Sequence, residues 1–313
     1  MKIAVLMDPI SGITIKKDST FAMLLEIQKR QWPLSYLEPS DLFLENGTVF
    51  ARCRELAVEN NPQQWFEFQN EQVQPLANFD LILMRKDPPF NMEYIYLTYL
   101  LELVEKQGTL VVNKPQSLRD ANEKLFTAWF PQCCPHTLVS RDCQRLKAFW
   151  QTEQDIIVKP LDGMGGQEIF RIQPQDPNLS VILQTLTRHG KRNIMAQRYI
   201  PEVVEGDNRI LMINGEPIPY ALARIPQPGE TRANLAAGGT GVPRPLTEKE
   251  QWICKEVGPA LRNKGLIFVG LDVIGGLLTE INVTSPTCIQ EIEAVYPVQI
   301  AKQLMDCLEN LKP

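Results

Sequence analysis

With 313 residues, a formal net charge of −5 and a pI near 5.3, the chain is long enough for about two domains. It is too acidic overall to present the basic face that nucleic acids and anionic membranes require, although a local positive pocket for an anionic ligand fits this balance. Its 44% hydrophobic and 22% charged residues are those of a soluble globular protein, and no uncharged apolar run approaches transmembrane length.

The opening MKIAVLMDPI has an apolar part too short for a secretory leader and meets Asp8-Pro9 at once, so it reads as a first β-strand. DSTFAMLLEIQKRQ (18–31) predicts a helix with Asp18 or Ser19 as N-cap and Phe21, Leu24 and Leu25 on its apolar face. LSYLEP (34–39) is a short strand. NFDLILMRKDPPF (78–90) is a buried strand ending at Arg85, followed by a proline-stiffened loop. MEYIYLTYLLELVEKQG (92–108) is an amphipathic helix closed by Gly108, and TLVVNKP (109–115) is another strand. Residues 1–120 therefore alternate strand and helix, which predicts an α/β unit with a mostly parallel sheet. Ligands of such sheets gather at the carboxyl ends of the strands, where Asp8, Arg85 and Asn113 sit.

The pattern changes beyond residue 120. ANEKLFTAWF (121–130) reads as a helix carrying Lys124. DIIVKP (155–160) and EIFRI (168–172) are strands flanking a glycine loop, and Asp176-Pro177-Asn178 opens a helix in LSVILQTLTRHG. NIMAQRYI, NRILMING, PIPYALARI, IFVGLDVIGG and LLTEINV are strands in close succession, which favours antiparallel pairing. Asn214-Gly215 is a hairpin-turn signal. The tail from Ile289 is helical with a break at Pro297. The second part is thus α+β.

KPLDGMGG (159–166) is the first functional signal. Neither the Walker A nor the Rossmann glycine pattern is present, and both need a loop that runs into a helix. Here the loop lies between two strands, as a flap. Gly163, Gly165 and Gly166 let backbone N–H groups approach an anion and take positive φ, and Lys159 can reach the same phosphate.

GLDVIGGLLTEINVTSP (270–286) is the second. Glu280 and Asn282 lie two apart on a strand and share a face. Whether Asp272 joins them depends on register. A tight turn at Gly275-Gly276 pairs residue 272 with 279 and turns Asp272 away; a bulge or a three-residue turn shifts the parity. The shifted register leaves Val269, Leu271, Val273, Ile281 and Val283 on one nearly apolar face, so burial selects it. Two carboxylates and a carboxamide then converge, a donor set suited to Mg²⁺ bridging phosphates, with Mn²⁺ as the alternative. Asp207 and Arg209 alternate onto one strand face, and Arg224 closes another strand; with Lys124 and Lys159 they can neutralise a triphosphate. The long aperiodic stretch 225–245, with Arg232 at its tip, reads as an active-site lid. Seven scattered cysteines without a CxxC pattern suggest a cytoplasmic chain with free thiols. Cys133, Cys134 and His136 have the wrong spacing for common zinc sites, and Cys288 reads as a small buried thiol.

MDPI, IKKDSTFAMLLE, ILMRKDPPF, VNKPQSLRDANEKLFTAWF, KPLDGMGG, IPYALARIPQPGETRANLAAGG and GLIFVGLDVIGGLLTEINVTSPTCI together resemble the bacterial glutathione synthetases, a family of ATP-grasp ligases, over nearly the whole chain. The resemblance implies an N-terminal substrate-side domain at 1–121 and an ATP-grasp domain at 122–313, with subdomains at about 122–200 and 201–313. It implies ligation of γ-glutamylcysteine and glycine with ATP, in a homotetramer, with no nucleic-acid or membrane partner. By motif, Lys124, Lys159, Gly163, Met164, Gly165 and Gly166 would hold the ATP phosphates. Gln197, Tyr199 and Ile200 would grip adenine, and Asp207 the ribose. Asp272, Glu280 and Asn282 would hold Mg²⁺. Arg209, Arg224 and Arg232 would serve catalysis, and Arg85, Ser285 and Thr287 the acid substrate. Thr240 and Val242 depart from the family pattern, which has Arg and an acidic residue there.

Overall fold

The computed structural model describes residues 1–163, 165–227, 233, 235 and 238–311. The opening strand forms as β1 (Ile3–Met7), with every residue buried. In α1 (Ser19–Lys29) the Asp18 side chain accepts the Phe21 N–H at 2.6 Å, so Asp18 is the N-cap. β2 (Leu34–Leu37) lies parallel to β1. Three antiparallel strands follow that the sequence reading passes over: β3 (Leu42–Glu45), β4 (Thr48–Val58) and β5 (Phe66–Pro75). Asn46-Gly47 makes the β3–β4 turn with φ of 47° and 80°, and that dipeptide was the available signal. β6 (Leu81–Arg85), α2 (Met92–Glu105), β7 (Leu110–Val112) and α3 (Pro115–Asp120) complete a seven-stranded sheet. Only β2, β1, β6 and β7 are parallel neighbours; β3, β4 and β5 form an antiparallel margin, which corrects the mostly parallel expectation.

The helix expected at 121–130 is instead a 3-10 turn over Leu125–Trp129. Asn122 Oδ1 accepts the Lys124 and Leu125 N–H groups at 3.2 and 2.8 Å, and Pro131 ends the segment before a full α-helix can develop. β8 (Thr137–Ser140), α4 (Cys143–Glu153), β9 (Ile156–Pro160), β10 (Phe170–Ile172), α5 (Leu179–Leu186) and β11 (Ile194–Arg198) follow. Their four strands form an antiparallel sheet in the order β10-β9-β11-β8. It has its own core, built from Leu146, Phe149, Ile156, Val158, Leu183 and Ile194.

The third sheet is antiparallel, ordered β14-β13-β12-β15-β16. It comprises β12 (Asp207–Ile213), β13 (Glu216–Ile225), β14 (Thr240–Pro245), β15 (Phe268–Ile274) and β16 (Leu277–Asn282), with α6 (Glu248–Asn263) between β14 and β15. Asn214-Gly215 turns β12 into β13 as expected. β14 corrects the reading of 225–245 as loop throughout: Thr240 pairs with Ile225 and Pro245 with Tyr220. Its glycine and prolines hide it from strand patterning, and an edge strand tolerates both. α7 (Ile289–Glu293) and α8 (Ile300–Leu311) flank the break at Pro297. The first and third sheets share a core in which Leu6, Met84 and Leu101 cluster with Val269, Leu271 and Ile281.

Candidate active site

Directly opposite residues of antiparallel strands point to the same side of a sheet. Asp207 is opposite Arg224, Arg209 opposite Asp272, Asp272 opposite Glu280 and Gly270 opposite Asn282. One face of the third sheet therefore collects Asp207, Arg209, Arg224, Asp272, Glu280 and Asn282. The register rests on a bulge. Gly275 and Gly276, with φ of 56° and 70°, form the tight turn that pairs Ile274 with Leu277; a slip between Asp272 and Val273 then sets Asp272 against Glu280. Val269, Leu271, Val273 and Ile281 are buried, as the shifted register requires.

Asp272 is buried between two guanidinium groups. Its Oδ1 lies 2.5 Å from Arg209 Nε, and its Oδ2 lies 3.1 Å from Arg209 Nη2 and 2.9 Å from Arg224 Nη2. Burial opposes its charge, but Arg209 and Arg224 outweigh that and hold the carboxyl well below the usual carboxylate range. Arg224 Nη2 also sits 2.6 Å from Asp207 Oδ2. Asp207 moves the other way: burial lifts it to about 6, Arg224 offsets part of the rise, and the Asp272 and Glu280 charges add to it. Glu280 Oε1 lies 3.3 Å from Lys159 Nζ and 3.6 Å from Lys124 Nζ. Burial raises the Glu280 pKa, yet the two lysines bring it below its ordinary value. Burial lowers that of Lys159. Lys124 Nζ also donates to Gly163 O at 2.6 Å, which ties it to the glycine loop. Gly270 leaves room for Arg209, since a Cβ there would stand 2.9 Å from Arg209 Cδ.

Two adjoining cavities open on this face. The first lies between the second and third sheets, and its walls include Lys124, Lys159, Gly163, Gly165, Gly166, Gln197, Tyr199, Ile200 and Asp207. The second has Arg209, Arg224, Asn282, Ser285 and Thr287 on its walls. Asp272 and Glu280 belong to both. The Asp207 Oδ1 atom is buried and has no hydrogen-bond partner among the described residues. Among the described residues the Ile200 N–H has no acceptor, whereas the Tyr199 N–H is taken by Asp155 O at 2.9 Å. Asn282 Nδ2 donates to Gly270 O at 3.3 Å, which leaves its Oδ1 as an acceptor. With Glu280 Oε2, which takes no hydrogen bond from another side chain among the described residues, it offers hard oxygen donors suited to a divalent cation. Asp272, already held by two arginines, is a weaker candidate ligand than its spacing suggests.

Several expected positions sit elsewhere. Arg85 is on neither large cavity wall. It is buried and donates from Nε to Thr20 Oγ1 at 3.0 Å and from Nη2 to Pro286 O at 2.9 Å, so it braces the loop that bears Ser285 and Thr287. Asn113 is a bracket between sheets: its Nδ2 donates to Phe268 O and Val283 O at 2.8 and 2.7 Å, and its Oδ1 accepts from Phe268 N at 2.9 Å. Gly165 and Gly166 have φ of 62° and 79°, but Gly163 is not among the positive-φ residues; a Cβ on it would meet Pro160 Cγ at 2.9 Å. Met164 and Arg232 lie outside the described residues. From the expected lid, Ala233 lines the first cavity and Leu235 the second. Glu123 and Thr284 line the second cavity and were not singled out from sequence; the residues that bring them there are more than a hundred positions away.

Two antiparallel sheets enclosing a lysine- and glycine-lined cleft, beside an α/β unit, are the architecture of the ATP-grasp ligases. D-cycloserine synthetase DcsG superposes with a TM-score of 0.70 at 14% identity, covering 99% of this chain and 100% of that chain. ATP-grasp ligase PsnB complexed with minimal precursor gives 0.66 at 15% identity, over 99% and 98%. These likenesses carry the fold. Residues 1–119 match the prokaryotic glutathione synthetase N-terminal domain, and residues 123–297 match the prokaryotic glutathione synthetase ATP-grasp domain. The glutathione synthetase of Escherichia coli (strain K12) is 62% identical over 309 residues, 99% of this chain and 98% of that one. Those of Citrobacter rodentium and Salmonella typhimurium are 61% and 60% identical over the same shares. The chain belongs to the prokaryotic glutathione synthetase family. No helix among the described residues is long and apolar enough to cross a membrane.

Proposed function

We propose that this chain joins γ-glutamylcysteine and glycine at the expense of ATP, giving glutathione, ADP and phosphate through an acyl phosphate. The observation that carries the reading is the meeting of the two cavities at Asp272 and Glu280. A nucleotide lying in the first, with its phosphates on Lys124, Lys159 and the glycine loop, points its terminal phosphate into the second. Gln197, Tyr199 and Ile200 hold the adenine and Asp207 the ribose. A carboxylate is a poor electrophile, and two anions must meet before it can be phosphorylated. Arg209 and Arg224 lower that repulsion on the acid side, and Ser285 and Thr287 orient the acid through their hydroxyls. Arg85 acts through the loop it braces. The amine then attacks the acyl carbon while donors beside the carbonyl stabilise the oxyanion. Water must be kept out, because it hydrolyses an acyl phosphate. Ala233 and Leu235, one on each cavity wall, support the lid reading of the segment between β13 and β14. Thr240 and Val242 lie in β14, at the foot of that lid, paired with Ile225 and Ala223.

Glu280 and Asn282, joined by Asp272, would hold a divalent cation, Mg²⁺ or in its place Mn²⁺, which supplies charge neutralisation between phosphates. The family reading extends to the division at residue 121, a cytoplasmic setting and a homotetramer. The test is to supply ATP, Mg²⁺, γ-glutamylcysteine and glycine, omit each in turn, and follow ADP and glutathione. Both products, formed only with all four present, are the expected result. ADP without glutathione points to a different amine or a leaking lid, and no ADP rejects the proposal.

A further inference from the structure

The assignments above leave the amine without a seat. An amine substrate arrives as an ammonium ion and needs a carboxylate that no protein cation already holds. Four carboxylates line the second cavity: Asp87, Glu123, Asp272 and Glu280. Asp272 is held by two arginines and Glu280 by two lysines. Asp87 is exposed at the solvent edge. Glu123 differs from all three. Its Oε1 accepts the Val283 N–H at 3.1 Å, the Thr284 N–H at 3.2 Å and the Thr284 hydroxyl at 2.8 Å, so the carboxylate is locked to the loop that leads into Ser285 and Thr287. Its Oε2 makes no hydrogen bond or ion pair among the described residues, and it is not among the polar atoms sealed from solvent without a partner. Burial disfavours the bare charge of Glu123, which an incoming cation would relieve. The next residue, Lys124, reaches the glycine loop, so one dipeptide touches both the phosphate side and the acid side of the site.

We propose that the Glu123 carboxylate is the docking point for the ammonium group of the amine substrate, with Oε1 fixed to the 283–284 loop and Oε2 turned to the ligand. The inference rests on the ligase reading of the two cavities. Glu123→Gln tests it, because the amide keeps an oxygen for the three loop bonds and drops the charge. The KM for glycine should rise roughly ten- to hundredfold, the value of one charge-assisted hydrogen bond. The KM values for ATP and γ-glutamylcysteine should change by less than about twofold. Hydroxylamine, uncharged at neutral pH, should still trap the acyl phosphate as hydroxamate at the wild-type rate. An unchanged glycine KM overturns the proposal. So does an equal loss with glycine and hydroxylamine, which would make Glu123 a loop brace only. A second measurement uses the unaltered enzyme, whether or not the variant folds. Glycolate keeps the carboxylate of glycine and replaces the ammonium by a hydroxyl; it should bind at least about tenfold more weakly than glycine, and equal binding overturns the dock. Absence of γ-glutamylcysteine-dependent ADP in the wild type would show the ligase reading itself to be wrong and remove the basis of the proposal.

Discussion

Replacing Asp272 by Asn takes one negative charge from between two buried guanidinium groups. Asp272 has contacts of 2.5 and 3.1 Å to Arg209 and 2.9 Å to Arg224, so both cations lose a counter-ion at once. Breaking a buried pair by removing one partner costs about 3–5 kcal/mol. Arg224 keeps Asp207 at 2.6 Å, which places the expected loss near the lower end, about 3 kcal/mol. At roughly 2–4 °C per kcal/mol the melting temperature should fall by about 6–12 °C at pH 7. The pH dependence has a definite sign. The Asp272 pKa is depressed in the fold, so its stabilisation is present above the unfolded carboxylate value and is lost as pH falls towards the folded one. The gap between wild type and variant should therefore shrink by up to about 1.4 kcal/mol per pH unit below about pH 4. Urea unfolding at pH 7 and at about pH 3 measures both quantities. A variant as stable as wild type at pH 7, or a gap of the same size at both pH values, would refute the argument.

Glu280→Gln should behave differently, because Glu280 is 19% exposed to the cavity and its contacts to the lysines are longer. Its melting temperature should move by less than about 3 °C, while kcat falls at least about a hundredfold in a coupled ADP assay. Asp207 titrates at about 6, so the wild-type KM for ATP should rise up to about tenfold per pH unit below that point; Asp207→Asn should show a higher KM without this inflection in steady-state kinetics between about pH 5 and 8. Gly270→Ala would push a methyl to within 2.9 Å of Arg209 Cδ and displace the guanidinium; kcat should fall by about tenfold or more with near-normal far-UV circular dichroism. Asn113→Ala breaks three buried hydrogen bonds away from the two large cavities, so stability should drop by about 3 kcal/mol in urea while kcat of the folded enzyme stays within about threefold of wild type.

The strand chemistry was the most legible part of the site. Asp207 with Arg209, and Glu280 with Asn282, are separated by two positions, and a period of two is a property of the strand alone. Asp272 needed a second argument, burial of the opposite face, and that argument selected the observed register. Residues at the ends of parallel strands were harder. Asp8, Arg85 and Asn113 occupy equivalent positions, but Arg85 and Asn113 are claimed by Pro286 and Phe268, partners that sequence spacing does not reveal. β5 was hidden because most of its side chains are exposed, and β14 because glycine and proline interrupt it. Lys124 was read into a helix that the structure does not form, since a short apolar run reads as helix until the capping by Asn122 is seen.

The bulge at Asp272 has a consequence for how such sites are compared between chains. A two-residue turn with one bulge and a three-residue turn with none deliver the same side chains to the same face. Chains of equal length at this hairpin can therefore differ in turn type and still present identical oxygen donors, while the two-residue turn without the bulge turns its aspartate to the core side. Cross-strand partnership, more than spacing along the chain, is what the chemistry of this hairpin conserves.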